Sequence, residues 1–278
     1  MSLWNLVTDS SCDLKSLETP DERIHFSSVP FIIRAGEHEF IDDEQLDTEK
    51  MVETLSATKE AGRTACPSPE TWLEKFRRAG SVIAVTISSN LSGSYNSACL
   101  ARDMLLEKEP DRNVAVIDSK SAGPELTMIV RKLQSLVREG LPFAEIVEKL
   151  NRFADQTETI FALTSFDNLV KNGRVGRVAG FVAGKLGMCG VGVANDGRID
   201  VKSKVRGTQK ALRVIIEDMK AHAFSHGPVL ISHCLNEELA LRLKTLIQET
   251  WAGAVVDIMP TRGLCSFYAE KGGMIIAY

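Results

Sequence analysis

Three times in its first half the chain repeats one pattern: a short apolar segment that runs straight into a hydroxyl-rich loop. Leu3–Val7 leads into Thr8-Asp9-Ser10-Ser11, and Ser81–Ile87 leads into Ser88-Ser89-Asn90-Leu91-Ser92-Gly93-Ser94. Val114–Ile117 leads into Asp118-Ser119-Lys120-Ser121. Helical periodicity follows, most clearly over Tyr95–Glu107 and Pro124–Arg138. Short, near-continuous apolar strands alternating with helices predict a parallel sheet covered on both faces. In such a sheet the carboxyl ends of the strands share one edge, and ligands bind in the crevice there. The hydroxyl-rich loops are therefore expected to converge on one region.

A break near Gln156–Thr159 divides the chain into two expected domains, 1–156 and 157–278. Beyond it the pattern predicts strands at Ile160–Thr164, Arg198–Val205, Val229–Ser232, Val255–Met259 and Met274–Tyr278. Helices are expected from Asp167, over Gln209–Ala223 and over Glu237–Thr250, and Asn195-Asp196-Gly197 reads as a hairpin turn. Hairpins mixed with crossovers imply a second α/β domain built on a mixed sheet. The fold class is thus α/β in two domains, an N-terminal parallel-sheet α/β/α layer and a C-terminal mixed-sheet domain.

The bulk properties exclude more than they identify. A formal charge of −4 argues against nucleic acid, whose binders carry a basic excess. No basic stretch followed by an apolar run opens the chain, and no apolar segment nears the roughly 20 residues that span a bilayer. The cysteines (Cys12, Cys66, Cys99, Cys189, Cys234 and Cys265) are scattered and never form CxxC. That spacing suits reduced thiols in the cytoplasm rather than a disulfide framework or a zinc site, so no metal is expected.

The loop Ser88–Ser94, between a buried strand and a helix, is the strongest local signal. Backbone N–H groups at a helix start, with several hydroxyls, suit an anionic oxygen. Simple helix capping by Ser92 or Ser94 explains the loop equally well. In Arg63-Thr64-Ala65-Cys66-Pro67-Ser68-Pro69-Glu70, Ser68 and Pro69 mark a helix start, and Thr64 by itself reads as structural. Between Lys171 and Arg213 lie ten basic residues (Lys171, Arg174, Arg177, Lys185, Arg198, Lys202, Lys204, Arg206, Lys210 and Arg213) against only Asp196 and Asp200. Such an imbalance predicts an electropositive surface for an anionic group or an acidic partner. Gly187, Gly190 and Gly192 lack the GxGxxG spacing, and no GxxxxGK[ST] occurs, so there is no nucleotide fingerprint. His222 and His226 lack a third ligand and read as exposed polar residues.

Taken in order, several of these segments resemble the motifs of the DegV family over nearly the whole chain. Thr8–Leu14 (TDSSCDL) resembles its opening TDSSxDL, and Arg63–Pro69 its TSQPSP segment, with Ala65 and Cys66 for Ser-Gln. Ser88–Tyr95 is similar to SSxLSGTY with Ser94 for Thr, and Val116–Ser119 matches VxDS. Asn168–Val175 resembles YLKKGGRI, and Lys204–Gly207 resembles KVRT. The resemblance implies a long-chain fatty acid in a tunnel between two α/β domains, no cofactor and no catalysis by the chain itself. It implies a carboxylate held by Thr64 and Ser92, with the Gly93 N–H beside them. Some members present the lipid to an ATP-dependent fatty acid kinase, which forms an acyl phosphate for phospholipid synthesis. In that setting Arg206 and Arg174 are expected to face the kinase.

Each CH₂ taken from water contributes about 0.8 kcal/mol, so a 16-carbon tail supplies roughly ten kcal/mol before entropic costs. A buried carboxylate is costly unless hydrogen-bonded. The family's usual THxGPG segment is absent here, and counting from the C-terminus puts Tyr268 where its His would stand. A phenol donates a hydrogen bond but stays neutral, so weaker charge compensation at the head group and altered kinase competence are expected. Two other functions remain open: an enzyme acting on a small phosphorylated or carboxylated metabolite, or a lipid store or sensor without a kinase.

Overall fold

The structure, a computed structural model, describes residues 3–58, 60–78, 80–176 and 187–278. The first half contains β1 (Trp4–Asp9), β2 (Ile24–Val29), β3 (Ile32–Ala35), β4 (His38–Ile41), α1 (Thr48–Ala57), β5 (Arg63–Ala65), α2 (Pro69–Phe76), β6 (Ser81–Thr86), α3 (Ser94–Leu106), β7 (Val114–Asp118), α4 (Pro124–Arg138) and α5 (Phe143–Ala154). The second contains β8 (Thr159–Leu163), α6 (Asp167–Lys171), β9 (Met188–Asn195), β10 (Arg198–Arg206), α7 (Thr208–Ala221), β11 (Gly227–His233), α8 (Glu237–Thr250), β12 (Ala254–Pro260), α9 (Gly263–Ala269) and β13 (Met274–Ala277).

Strands β2-β1-β6-β7 form one parallel sheet. Its alternating side chains feed two cores, which is why the strands read as uninterrupted apolar runs. Ile83 and Val85 pack with Leu126, Ile129 and Leu133 of α4, while Val82 and Ala84 pack with Trp72 of α2 and Ala98 of α3. A small sheet, β4-β3-β5, lies beside it.

Residues 155–158 carry the chain into the six-stranded sheet β10-β9-β8-β13-β11-β12, in which only β11 and β12 are parallel. One face buries Ile160, Ala162, Val191, Val193 and Ile276 under Leu212 and Ile215 of α7 and Leu243 and Ile247 of α8. The other face, with Phe161, Leu163 and Ile275, turns toward the first half. The β9–β10 turn has positive φ at Asp196 and Gly197, as a two-residue hairpin requires. Gly197 is also where Ser88 of the first half comes closest, donating its hydroxyl to the Gly197 carbonyl at 2.7 Å. Helix α9 belongs to the second half in sequence yet packs on α1 and β3 of the first. The two halves are therefore stapled at both ends of the interface.

Candidate functional site

The loops after β1, β6 and β7 do converge, and one carboxylate organises two of them. Asp9, fully buried, accepts from Ile87 N at 3.0 Å, Ser94 Oγ at 2.7 Å and Ser11 N at 3.2 Å, and from the Ser11 hydroxyl. Burial pushes its pKa up against those hydrogen bonds. Thr8, Asp9, Ser10 and Ser11 are all buried, and none lines the cavity described next. They serve the fold: the Asp9 carboxylate fixes where the Ser88–Ser94 loop starts and ends, Ser11 donates to that carboxylate, and Ser10 Oγ accepts from Phe31 N at 3.0 Å.

Between the loops and the open face of the six-stranded sheet lies a cavity that, together with the open space at its mouth, spans about 830 Å³. Its walls are mainly apolar: Phe31, Ile87 and Leu91 from the first half, Phe161, Leu163 and Ile275 from the second. Thr64, Ser92 and Tyr268 line it as well. The Thr64 and Tyr268 hydroxyls share a hydrogen bond of 2.9 Å across 204 positions of sequence. Gly62 makes this possible, since a Cβ there would lie 2.6 Å from the Phe267 ring next to Tyr268. Ser92 lines the cavity and its Oγ accepts from Ser94 N at 3.3 Å, but the N-cap of α3 is Gly93, so neither Ser92 nor Ser94 is the capping residue expected from the loop. Gly93 itself is exposed and has no side chain with which to cap α3.

The expected partner-facing arginines separate. Arg174 lines the cavity, with its Nε donating to the Leu91 carbonyl at 3.0 Å and Nη1 donating to Asn172 O. Its guanidinium is thereby tied to the loop that carries Ser92. Arg206 lies at the exposed end of β10, outside the lining; Lys202, Lys210 and Arg213 are exposed as well, with Lys202 paired to Asp200 at 3.1 Å. Arg198 and Lys120 also line the cavity. Arg177 and Lys185 lie outside the described residues. His222 and His226 are exposed and occupied by Asp218 and Ser225 respectively. Cys12, Cys189, Cys234 and Cys265 are buried and all six thiols are free. Burial pushes Cys12 and Cys189 to about 11, keeping them protonated. Among the described residues no group of His, Cys, Asp or Glu could hold a metal ion, and no helix is long and apolar enough to cross a membrane.

Tyr268 is delivered by α9, and α9 is held by groups that no local sequence signal marked. Asp42 accepts from Gly263 N at 2.9 Å and Leu264 N at 2.8 Å, capping the helix from over two hundred residues away. Asp13 accepts from Arg262 N at 2.9 Å, and the Arg262 guanidinium donates to Leu14 O, Ser28 Oγ and Asp42 O. Burial raises Asp13 from 3.8 to about 6 despite the nearby arginine. A carboxyl whose folded pKa lies above its unfolded value destabilises the fold once ionised. Its effect therefore grows as pH rises from about 4 to about 6, reaching roughly 3 kcal/mol. Asp9, Asp42 and Glu125 are shifted the same way by burial and add to the slope. Asp13→Asn keeps an acceptor for Arg262 N and removes one titration. Its urea midpoint is expected to fall less than that of the wild type between pH 4.5 and 6.5; identical slopes would refute this assignment.

Comparison with known proteins places this geometry. A DegV domain-containing protein of Streptococcus pneumoniae strain R6 is 41% identical over 276 residues, covering 99% of this chain and 98% of the relative. The structure of the Streptococcus pneumoniae fatty acid kinase B3 protein, loaded with linoleic acid, superposes with a TM-score of 0.96 at 40% identity over 99% of both chains. A DegV family protein from Eubacterium eligens, loaded with heptadecanoic acid, superposes with a TM-score of 0.93 at 37% identity, covering 99% of this chain and 98% of that one. The family model described as "Uncharacterised protein, DegV family" matches residues 4–278, and the chain belongs to the DegV family.

Proposed function

We propose that this protein binds a long-chain fatty acid, its tail in the cavity and its carboxylate at Thr64, Ser92, Gly93 and Tyr268. The observation that carries this reading is the apolar cavity lined by Thr64, Tyr268, Ser92 and Arg174 together, with the Thr64 and Tyr268 hydroxyls hydrogen-bonded to each other. The hydroxyls supply hydrogen bonds and Arg174 supplies the charge that a neutral Tyr268 cannot. The charged side chains of the described lining are Lys120, Arg174 and Arg198, all cationic, which suits an anionic ligand. Loading of similar proteins with linoleic and heptadecanoic acids supports the same reading. The long apolar wall disfavours a small polar metabolite, which would leave it unused.

The chain acts here as a carrier in the cytoplasm, with 1–156 and 157–278 as the two domains that enclose the lipid. A fatty acid kinase would supply ATP and metal and phosphorylate the presented carboxylate, docking at the exposed basic residues Arg206, Lys210 and Arg213. A store or sensor without a kinase is the other outcome of the same test. Mass spectrometry of lipid extracted from purified protein should recover a long-chain acid; its absence under native conditions would count heavily against binding. Thr64→Val with Ser92→Ala is expected to lower fatty-acid affinity more than tenfold, and unchanged affinity would show the head group is held elsewhere. Acyl phosphate formation by a cognate kinase, diminished by Arg206→Ala, separates a presenting subunit from a store.

A further inference from the structure

Side chains along β9 alternate between the two faces of the sheet. Cys189, Val191 and Val193 enter the core under α7 and α8. The opposite, cavity-side face carries Gly190, Gly192 and Ala194. Glycine weakens a strand interior, and two on one face mark a place where something else approaches the backbone closely. Here that something is two aromatic rings. A Cβ on Gly192 would lie 2.4 Å from Cζ and 2.7 Å from Cε2 of Phe161, its direct cross-strand partner. A Cβ on Gly190 would lie 2.2 Å from Cε2 and 2.6 Å from Cζ of Phe166. The two rings meet edge to face with centroids 6.3 Å apart. Phe161 lies down over Gly192, and it is a wall of the cavity.

We infer that the Gly192–Phe161 pair sets the cross-section of the acyl cavity, laying the ring flat so that a chain bent by a cis double bond fits as well as a straight one. This rests on the fatty-acid reading above. Carbon atoms in contact sit about 3.5–4.0 Å apart, so a methyl at position 192 must displace the Phe161 ring by roughly 1 Å or more. The sheet lies beneath the ring, and Ile275 is its cross-strand neighbour on β13, so the open direction is into the cavity. A straight saturated chain needs only a narrow channel. A cis double bond offsets the chain axis and needs lateral room, so the raised ring excludes bent chains first. The same methyl would also lie 2.5 Å from the Asp200 carbonyl, so backbone strain has to be separated from the ring effect.

The test strips lipid from the purified protein, offers an equimolar mixture of palmitic and linoleic acids, and quantifies what is retained. Gly192→Ala is expected to lower the linoleate-to-palmitate ratio at least tenfold. Adding Phe161→Ala to that variant should restore the ratio to within twofold of wild type, which relief of backbone strain could not do. Phe161→Trp, which adds bulk at the same point without touching β10, should lower the ratio in the same direction even where Gly192→Ala fails to fold. Unchanged ratios, an unrescued double variant, or a wild type that retains palmitate alone would each overturn the inference. A wild type that retains neither acid would instead overturn the fatty-acid reading itself.

Discussion

Replacing Arg262 by alanine is expected to lower the unfolding free energy by about 3–5 kcal/mol, the cost of breaking a buried ion pair by removing one member. Arg262 is 2% exposed and Asp42 is 1% exposed, with Nε 3.9 Å from Oδ1. Without the guanidinium, Asp42 and Asp13 remain buried as uncompensated carboxyls, and Leu14 O, Ser28 Oγ and Asp42 O each lose a donor. For a chain of this size the melting temperature should drop by roughly 10 °C. The loss extends to function, because Arg262 and Asp42 fix the start of α9, and α9 carries Tyr268. Asp42→Asn added to Arg262→Ala removes the orphaned charge and should recover part of the stability. Chemical denaturation decides the matter: a loss below about 1 kcal/mol, or no recovery in the double variant, would mean the pair is not the clamp described.

Asp9→Ala should cost about 3 kcal/mol. It strands Ile87 N, Ser94 Oγ and the Ser11 donors in a dry interior, at about 1–3 kcal/mol for each unsatisfied group. The sum is not reached, because deleting Asp9 also removes the cost of burying a charge, the same cost that raises its pKa. Asp9→Asn retains an acceptor and should be milder, near 1 kcal/mol. Fatty-acid affinity should fall with Asp9→Ala as well, since the loop bearing Ser92 and Gly93 loses its anchor. Wild-type stability in Asp9→Ala by urea titration would rule out this role.

Much of the secondary structure was legible because each element carried a periodic burial signal. Pro124–Arg138 and Glu237–Thr250 coincide with α4 and α8 at both ends, since long amphipathic helices with a Pro or acidic first turn announce their boundaries. Three strands of the parallel sheet, β1, β6 and β7, were legible because they are apolar and feed the packed cores, whereas its half-buried edge strand β2 was not anticipated. The short elements β3, β4, β5 and α9 were not anticipated. At four, four, three and seven residues they are too brief for a period to emerge, and β5 and α9 are stabilised by partners distant in the chain. Thr64 illustrates the difference. In sequence it sat in an extended stretch before Pro67 with nothing local to distinguish it; in the fold it meets Tyr268 across 204 positions.

The hydroxyl-rich loops with which the sequence opened its case proved to be of two kinds. The Ser88–Ser94 loop carries Ser92 to the cavity, while Thr8–Ser11 is interior scaffolding. Residue type and spacing could not separate them, because a serine donating to a buried aspartate and one facing a ligand have the same composition. By itself the sequence determined the layer architecture, the order of most strands and helices, and the family, since apolar periodicity and ordered motifs are local properties. Only the tertiary structure decided that Arg174 joins the cavity while Arg206 stays outside, that Asp42 caps α9, and that β9 needs its two glycines beneath Phe161 and Phe166. Those relations are contacts between residues tens to hundreds of positions apart, set by how the two halves pack, and no short-range pattern encodes them.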